Sequence, residues 1–86
     1  MEVPLVAIGK TDGPETSRVQ QRLLDLGFWL QSTNGDYGVT TSQAVMAFQK
    51  YTGLNPNSEV DEATAAALNS ATTRAYGTAN QGTLVE

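Results

Sequence analysis

The 86-residue chain contains no cysteine and no histidine. Without thiols, no disulfide can supplement the core and no thiolate can act as nucleophile or metal ligand. Without imidazole, Ser–His–Asp triads, Cys–His dyads and histidine metal sites cannot be assembled within the chain. Basic residues are scarce: five Lys and Arg stand against nine Asp and Glu, a net charge of −4. Nucleic-acid binding draws most of its non-specific affinity from cations on phosphates. Here only Arg18 and Arg22, one helical turn apart, could form a basic patch, so nucleic acid is not an expected partner. The same balance argues against an anionic membrane surface. Long apolar runs are missing too. Val3 to Ile8 is the longest nearly apolar run, far short of the roughly 20 residues that cross a bilayer. Met1-Glu2 lacks the basic segment that opens a secretory signal peptide. What remains is one small domain, which at this length hides only about 60% of its unfolded surface. A monomeric binding module, without its own catalysis and without a cofactor, is the expectation.

Three helices are signalled along the chain. Gly9 to Pro14 is turn-rich, and Val3 to Ile8 before it reads as an extended arm on the domain or as the remnant of an upstream linker. Pro14-Glu15-Thr16-Ser17 suits a first helical turn. Thr16, Val19, Leu23 and Leu26 recur at three- and four-residue spacing, with Gln20, Gln21, Arg22 and Asp25 on the other faces. Gly27 marks the stop, and Phe28-Trp29-Leu30 should fold back over the core. Gln31 to Gly38 reads as a polar loop, with a hairpin at Asn34-Gly35 as the alternative. The spacing predicts a second helix from about Val39–Thr41, with Thr41, Ala44, Val45 and Phe48 inward, Tyr51 or Thr52 at the far end, and Gly53 as its stop. A third helix runs from about Asp61, its N-cap, to Ser70, with Thr64, Ala67 and Leu68 inward. Residues 1–14 are thus an arm and turn, 15–70 the domain, and 71–86 a linker or tail in which periodicity stops.

A loop–helix unit occurs twice. Asn34, Asp36, Tyr37, Thr41 and Val45 overlay Asn57, Glu59, Val60, Thr64 and Leu68 at one constant offset. Each copy opens a turn with Asn, follows with an acid and an apolar residue, and enters a helix through Thr. Metal and catalytic readings of these loops fail on spacing. Asn34-x-Asp36-x-Gly38 would need a bidentate Glu where Val45 stands. Asp36 and Glu59 carry no signal of the paired geometry a glycosidase requires.

Thr16-x-x-Val19-Gln20-x-x-Leu23-x-x-Leu26-Gly27-Phe28-Trp29 resembles the first signature of the bacterial peptidoglycan-binding domain family. Asn34-Gly35-Asp36-Tyr37-Gly38-x-x-Thr41-x-x-Ala44-Val45-x-x-Phe48-Gln49 is similar to its second, and Gly53-Leu54 with Val60-x-x-x-Thr64-x-x-x-Leu68 to its third. The chain departs from the family pattern at Thr16, at Asn34 in place of Asp, and in Asn57-Ser58-Glu59-Val60-Asp61, which lacks the two glycines of the usual Asp-Gly-x-Val-Gly. The resemblance implies an all-α fold, a compact three-helix bundle. It further implies a module that anchors a catalytic domain on peptidoglycan outside the cell or in its envelope, with an L,D-transpeptidase as the expected downstream partner. Its kinship with metalloprotease prodomains leaves a second reading, a regulatory module packed on a neighbouring catalytic domain.

Candidate ligand-binding residues are Trp29, Asn34, Asp36, Tyr37 and Gln49, around a groove formed by the Gln31–Gly38 loop, the second helix and the loop before the third. Trp29 carries apolar area and an N–H suited to a sugar. Gln49 could meet a stem-peptide amide. Asn34 and Asp36 could bind sugar or peptide N–H groups, or could serve only the turn. Phe28, Tyr37, Val45, Phe48 and Leu68 are the expected core. A buried Trp29 without a groove would instead indicate a structural spacer.

Overall fold

The computed structural model describes residues 4–71. The start of the arm, residues 1–3, and the linker or tail expected over residues 72–86 lie outside the described residues. Three helices follow in order: α1 (Pro14–Asp25), α2 (Val39–Thr52) and α3 (Glu62–Ser70). No strand forms among the described residues, so the fold is all-α and the hairpin at Asn34-Gly35 is not taken. An isolated antiparallel bridge pairs Gly9 with Val60.

The predicted stripe of α1 is its buried face. Val19, Leu23 and Leu26 are fully buried and Thr16 nearly so. Helix α1 closes with the two-bond pattern expected of a glycine stop: Phe28 N–H donates to Leu23 O and Gly27 N–H to Leu24 O, each at 2.9 Å. Helix α2 closes the same way, with Leu54 N–H on Gln49 O and Gly53 N–H on Lys50 O. The chain then folds back after α1 as the sequence demanded. The Phe28 ring meets Phe48 edge-on at 5.6 Å and Tyr51 at 6.0 Å. Of the five expected core residues, Val45, Phe48 and Leu68 are fully buried, while Phe28 and Tyr37 are half-buried and pack against that core.

Gln20 departs from expectation. The spacing assigned it to an outer face with Gln21, Arg22 and Asp25, yet it is 1% exposed. Its amide is held by the loop that follows α1, as described below. Arg22 also turns inward in part: its Nε donates to Leu68 O at 2.9 Å and its Nη2 to Ala71 O. These bonds satisfy carbonyls at the end of α3 and put a cation where the helix dipole favours one. The 4–9 arm lies along the same corner. Leu5 is buried, and its backbone exchanges two hydrogen bonds with the Asn69 side chain, at 2.8 and 3.0 Å.

Asp61 caps α3, accepting from Thr64 N–H at 2.8 Å. The hydrogen bonds from Thr64 and then Asn57 hold its carboxyl below the usual range. A folded-state value lower than the unfolded one, about 3.9, stabilises the fold above that value. The stabilisation is lost as pH falls through the lower folded-state value. Asp61→Asn should therefore flatten this part of the acid dependence. In urea titrations at neutral pH and in acid, the wild-type midpoint should fall more than the variant's. Equal falls would remove the cap from the acid response.

Candidate functional site

A groove of about 360 Å³ opens between the 31–38 loop and the first turn of α2, with Ser32, Asn34, Asp36, Val39 and Thr40 on its walls. Its shape is set by a buried clamp. Gln20 reaches out of α1 and donates through Nε2 to Asp36 O and to Thr41 Oγ1, both at 2.9 Å, while its Oε1 accepts from Gly35 N–H at 2.8 Å. Further bonds fix the loop on α1 and the segment before it. Ser17 Oγ donates to Thr33 O at 2.6 Å, Gly13 N–H to Gly35 O at 2.9 Å, and Tyr37 N–H to Asp12 Oδ1 at 2.7 Å. Gly35 has φ +91°, and a Cβ there would lie 2.8 Å from Gly13 O, so only glycine fits this close approach.

The second loop repeats the device atom for atom. Gln49 donates through Nε2 to Glu59 O at 2.8 Å and Thr64 Oγ1 at 2.9 Å, and its Oε1 accepts from Ser58 N–H at 3.0 Å. The Asn turns match as well: Asn34 Oδ1 accepts from Asp36 N–H and Asn57 Oδ1 from Glu59 N–H, each at 2.9 Å. The pseudo-repeat is therefore physical. It tightens the role of Ser58, which sits at φ +66° where the first copy has Gly35. The loop keeps its shape without the family's glycine, with Ser58 in a left-handed conformation that disfavours an L side chain by about 1–2 kcal/mol. Ser58→Gly should raise stability by about 0.5–1 kcal/mol, after the extra freedom of glycine in the unfolded chain is offset. A lower urea midpoint for this variant would contradict the strain.

The copies differ at the helix entry. Asp61 caps α3 in the second, whereas Gly38 leaves α2 without a side-chain cap in the first. The uncapped turn is the one that lines the groove.

The five sequence-derived site residues divide. Trp29 is 68% exposed, two residues before Gln31 on the groove wall, and Gln31 N–H is fixed on Thr40 Oγ1 at 2.9 Å. Asn34 and Asp36 are exposed and line the groove. Tyr37 is half-buried, and its hydroxyl donates to Ser58 O at 2.5 Å, tying one loop to the other. Burial, and secondarily the Glu59 carboxylate, push its pKa well above the ordinary phenol range, so it remains a donor. Gln49 is fully buried with its amide occupied at both ends, and it reaches no surface. It positions a loop and does not meet a stem-peptide amide in this geometry. Gln20, its counterpart under the groove, was absent from the sequence-derived site. The signal was there in the matched pairs Val19-Gln20 and Phe48-Gln49.

Asp36 is the only charged side chain among the described residues on the groove wall. Among the described residues no cluster of three or more Asp, Glu, His or Cys could hold a metal ion, and no helix is long and apolar enough to cross a membrane. The groove can therefore offer hydroxyl, amide and carboxylate partners; Trp29 is exposed but is not among the residues that line it. That set suits a neutral polyhydroxylated ligand and lacks any cation for an anion.

Comparison with known proteins gives the following. The sequence matches the family described as "Putative peptidoglycan binding domain" over residues 12–68. A similar solved structure is the L,D-transpeptidase (residues 123–326) from Xylanimonas cellulosilytica DSM 15894, at 44% identity and a TM-score of 0.67. The match covers 79% of this chain and 33% of that one, so the chain spans about a third of that transpeptidase structure. The comparison with curated proteins gave no match.

Proposed function

Because the chain belongs to the peptidoglycan-binding domain family, we propose that it is a non-catalytic module that binds the glycan of peptidoglycan in the 31–41 groove. By that contact it holds an attached catalytic domain of L,D-transpeptidase type on its substrate in the bacterial cell wall. The observation that carries this reading is the groove itself, a polar cleft whose described lining holds one carboxylate and no cation. Sugar rings present an apolar face for the indole and hydroxyl and acetamido groups for Asn34, Asp36 and Thr40. The similarity to part of an L,D-transpeptidase supports the attached catalytic domain. A purely structural spacer is disfavoured, since it called for a buried Trp29 and no groove. Sedimentation with insoluble peptidoglycan sacculi tests the reading. The chain is expected in the pellet, with little dependence on salt because the groove takes no ion. Recovery wholly in the supernatant at low salt would reject it.

A further inference from the structure

Asn34-Gly35 is more than a turn. An Asn followed by glycine is chemically labile, because the next backbone nitrogen can attack the side-chain carboxamide with no Cβ in the way. Asn34 is exposed, and Gly35 follows it. The groove loop nevertheless holds the two reacting groups out of line. Gly35 is buried, and its N–H must lose its proton before the nitrogen can attack. That N–H donates to Gln20 Oε1 at 2.8 Å. The far end of Gly35 is pinned too, its carbonyl accepting from Gly13 N–H at 2.9 Å. Asn34 Oδ1 accepts from Asp36 N–H at 2.9 Å, which turns the carboxamide toward Asp36. Ring closure requires the backbone to rotate between Asn34 and Gly35, and each of these bonds resists that rotation. Attack therefore waits for the loop to open locally. The second loop supplies a comparison. Asn57 is held in the same way, but it precedes Ser58, whose side chain crowds the attacking nitrogen.

We propose that Asn34 is a self-modification site gated by the Gln20 clamp, and that its conversion to isoaspartate dismantles the groove. In the opened loop Gly35 N gives up its proton to solvent and bonds to Asn34 Cγ. The Cγ–Nδ2 bond breaks, and that nitrogen takes a proton and leaves as ammonia. Water then opens the cyclic imide at one of its two carbonyls. Cleavage of the new Cγ–N bond gives aspartate. Cleavage at the original Asn34 carbonyl gives isoaspartate, with the backbone routed through the side chain. The sum is one water taken up and one ammonia released, with no oxidant or reductant. The isoaspartate backbone is one methylene longer where Gly35 is fixed on both sides, so it cannot keep the Gln20 and Gly13 bonds together. Aspartate keeps an oxygen for Asp36 N–H and retains the loop. The modification rests on the loop's own geometry; only its effect on retention rests on the glycan reading.

The test incubates the 86-residue chain in mildly alkaline buffer beside an acetylated and amidated peptide of residues 32–37. Peptide mass spectrometry follows both, with isoaspartate resolved from aspartate. The free peptide should convert, mainly to isoaspartate. Asn34 in the folded chain should convert about a hundredfold more slowly, as the loss of two or more hydrogen bonds on opening requires. Ser17→Ala releases Thr33 O without touching Gly35. It should speed conversion of Asn34 about fivefold and leave Asn57 unchanged, which separates local opening from global unfolding. The isoaspartate form should exchange its Gly35 amide proton rapidly, whereas Asn34→Asp should keep that proton protected. This readout needs no glycan, so a failed groove and a failed gate are told apart. Equal rates in chain and peptide, no conversion in the peptide, equal acceleration of Asn34 and Asn57, or a protected Gly35 amide in the isoaspartate form would each overturn the proposal.

Discussion

Gln49→Ala is expected to remove a large share of the stability of the fold. The substitution leaves Ser58 N–H without its acceptor and removes the donor from Glu59 O and Thr64 Oγ1. Each buried polar group left unpaired costs about 1–3 kcal/mol. Water entering the vacated space recovers part of this, so a loss of about 3–5 kcal/mol is expected. At about 0.05–0.15 kcal/mol per residue, a chain of this length holds about 4–13 kcal/mol, so the loss is a large share of the total. Far-ultraviolet circular dichroism against urea reads the loss directly. Gln49→Glu supplies a control of the same shape. It places a carboxylate against the Glu59 carbonyl, and burial raises its pKa above the unfolded value. That variant should be destabilised at neutral pH and should recover as pH falls and the carboxyl regains a proton to donate. The wild-type Asp61 trend runs the other way. A Gln49→Ala loss below about 1 kcal/mol, within the range of an ordinary surface change, would contradict the clamp.

Trp29→Ala is expected to abolish most retention on peptidoglycan while leaving the fold intact. The side chain is 68% exposed, so little burial is lost and the stability change should stay within about 0.5 kcal/mol. Exposed tryptophans at binding surfaces commonly contribute about 2 kcal/mol or more, a fall of roughly thirtyfold in affinity. Depletion isotherms with sacculi, taken beside urea titrations, separate the two effects. Unchanged affinity would remove Trp29 from the site. Reduced affinity together with lost stability would assign it to packing.

The helices were legible because their signals are local. Thr16, Val19, Leu23 and Leu26 form one stripe, Gly27 and Gly53 can take the stopping conformation, and Asp61 can cap its own helix. The polar interior was not. Periodicity sends a glutamine to solvent, and nothing near Gln20 in sequence shows that Gly35, fifteen residues on, will meet its oxygen. The repeat could have exposed it, but the clamp comes from the preceding helix. Gln20 lies fifteen residues before Gly35, and Gln49 only nine before Ser58. A search at one constant offset aligns the loops and misses the residues that hold them. The same blindness put Gln49 among the ligand residues. Trp29, Asn34 and Asp36 were expected at the surface because loop position and side-chain chemistry suffice to mark them, and all three are exposed. Tyr37 was half legible. Its apolar ring belonged to the core, whereas its hydroxyl bond to Ser58 O depends on where the second loop lies.

The most direct test of glycan recognition in the groove is chemical-shift mapping with a soluble glycan strand stripped of its peptides. Shifts should concentrate on residues 29–41, include the Trp29 indole N–H, and leave residues 4–5, 18, 22 and 69 unmoved. Shifts centred on residues 4–5, 18, 22 and 69 or on the 55–61 loop, or no shift at saturating glycan, would contradict it.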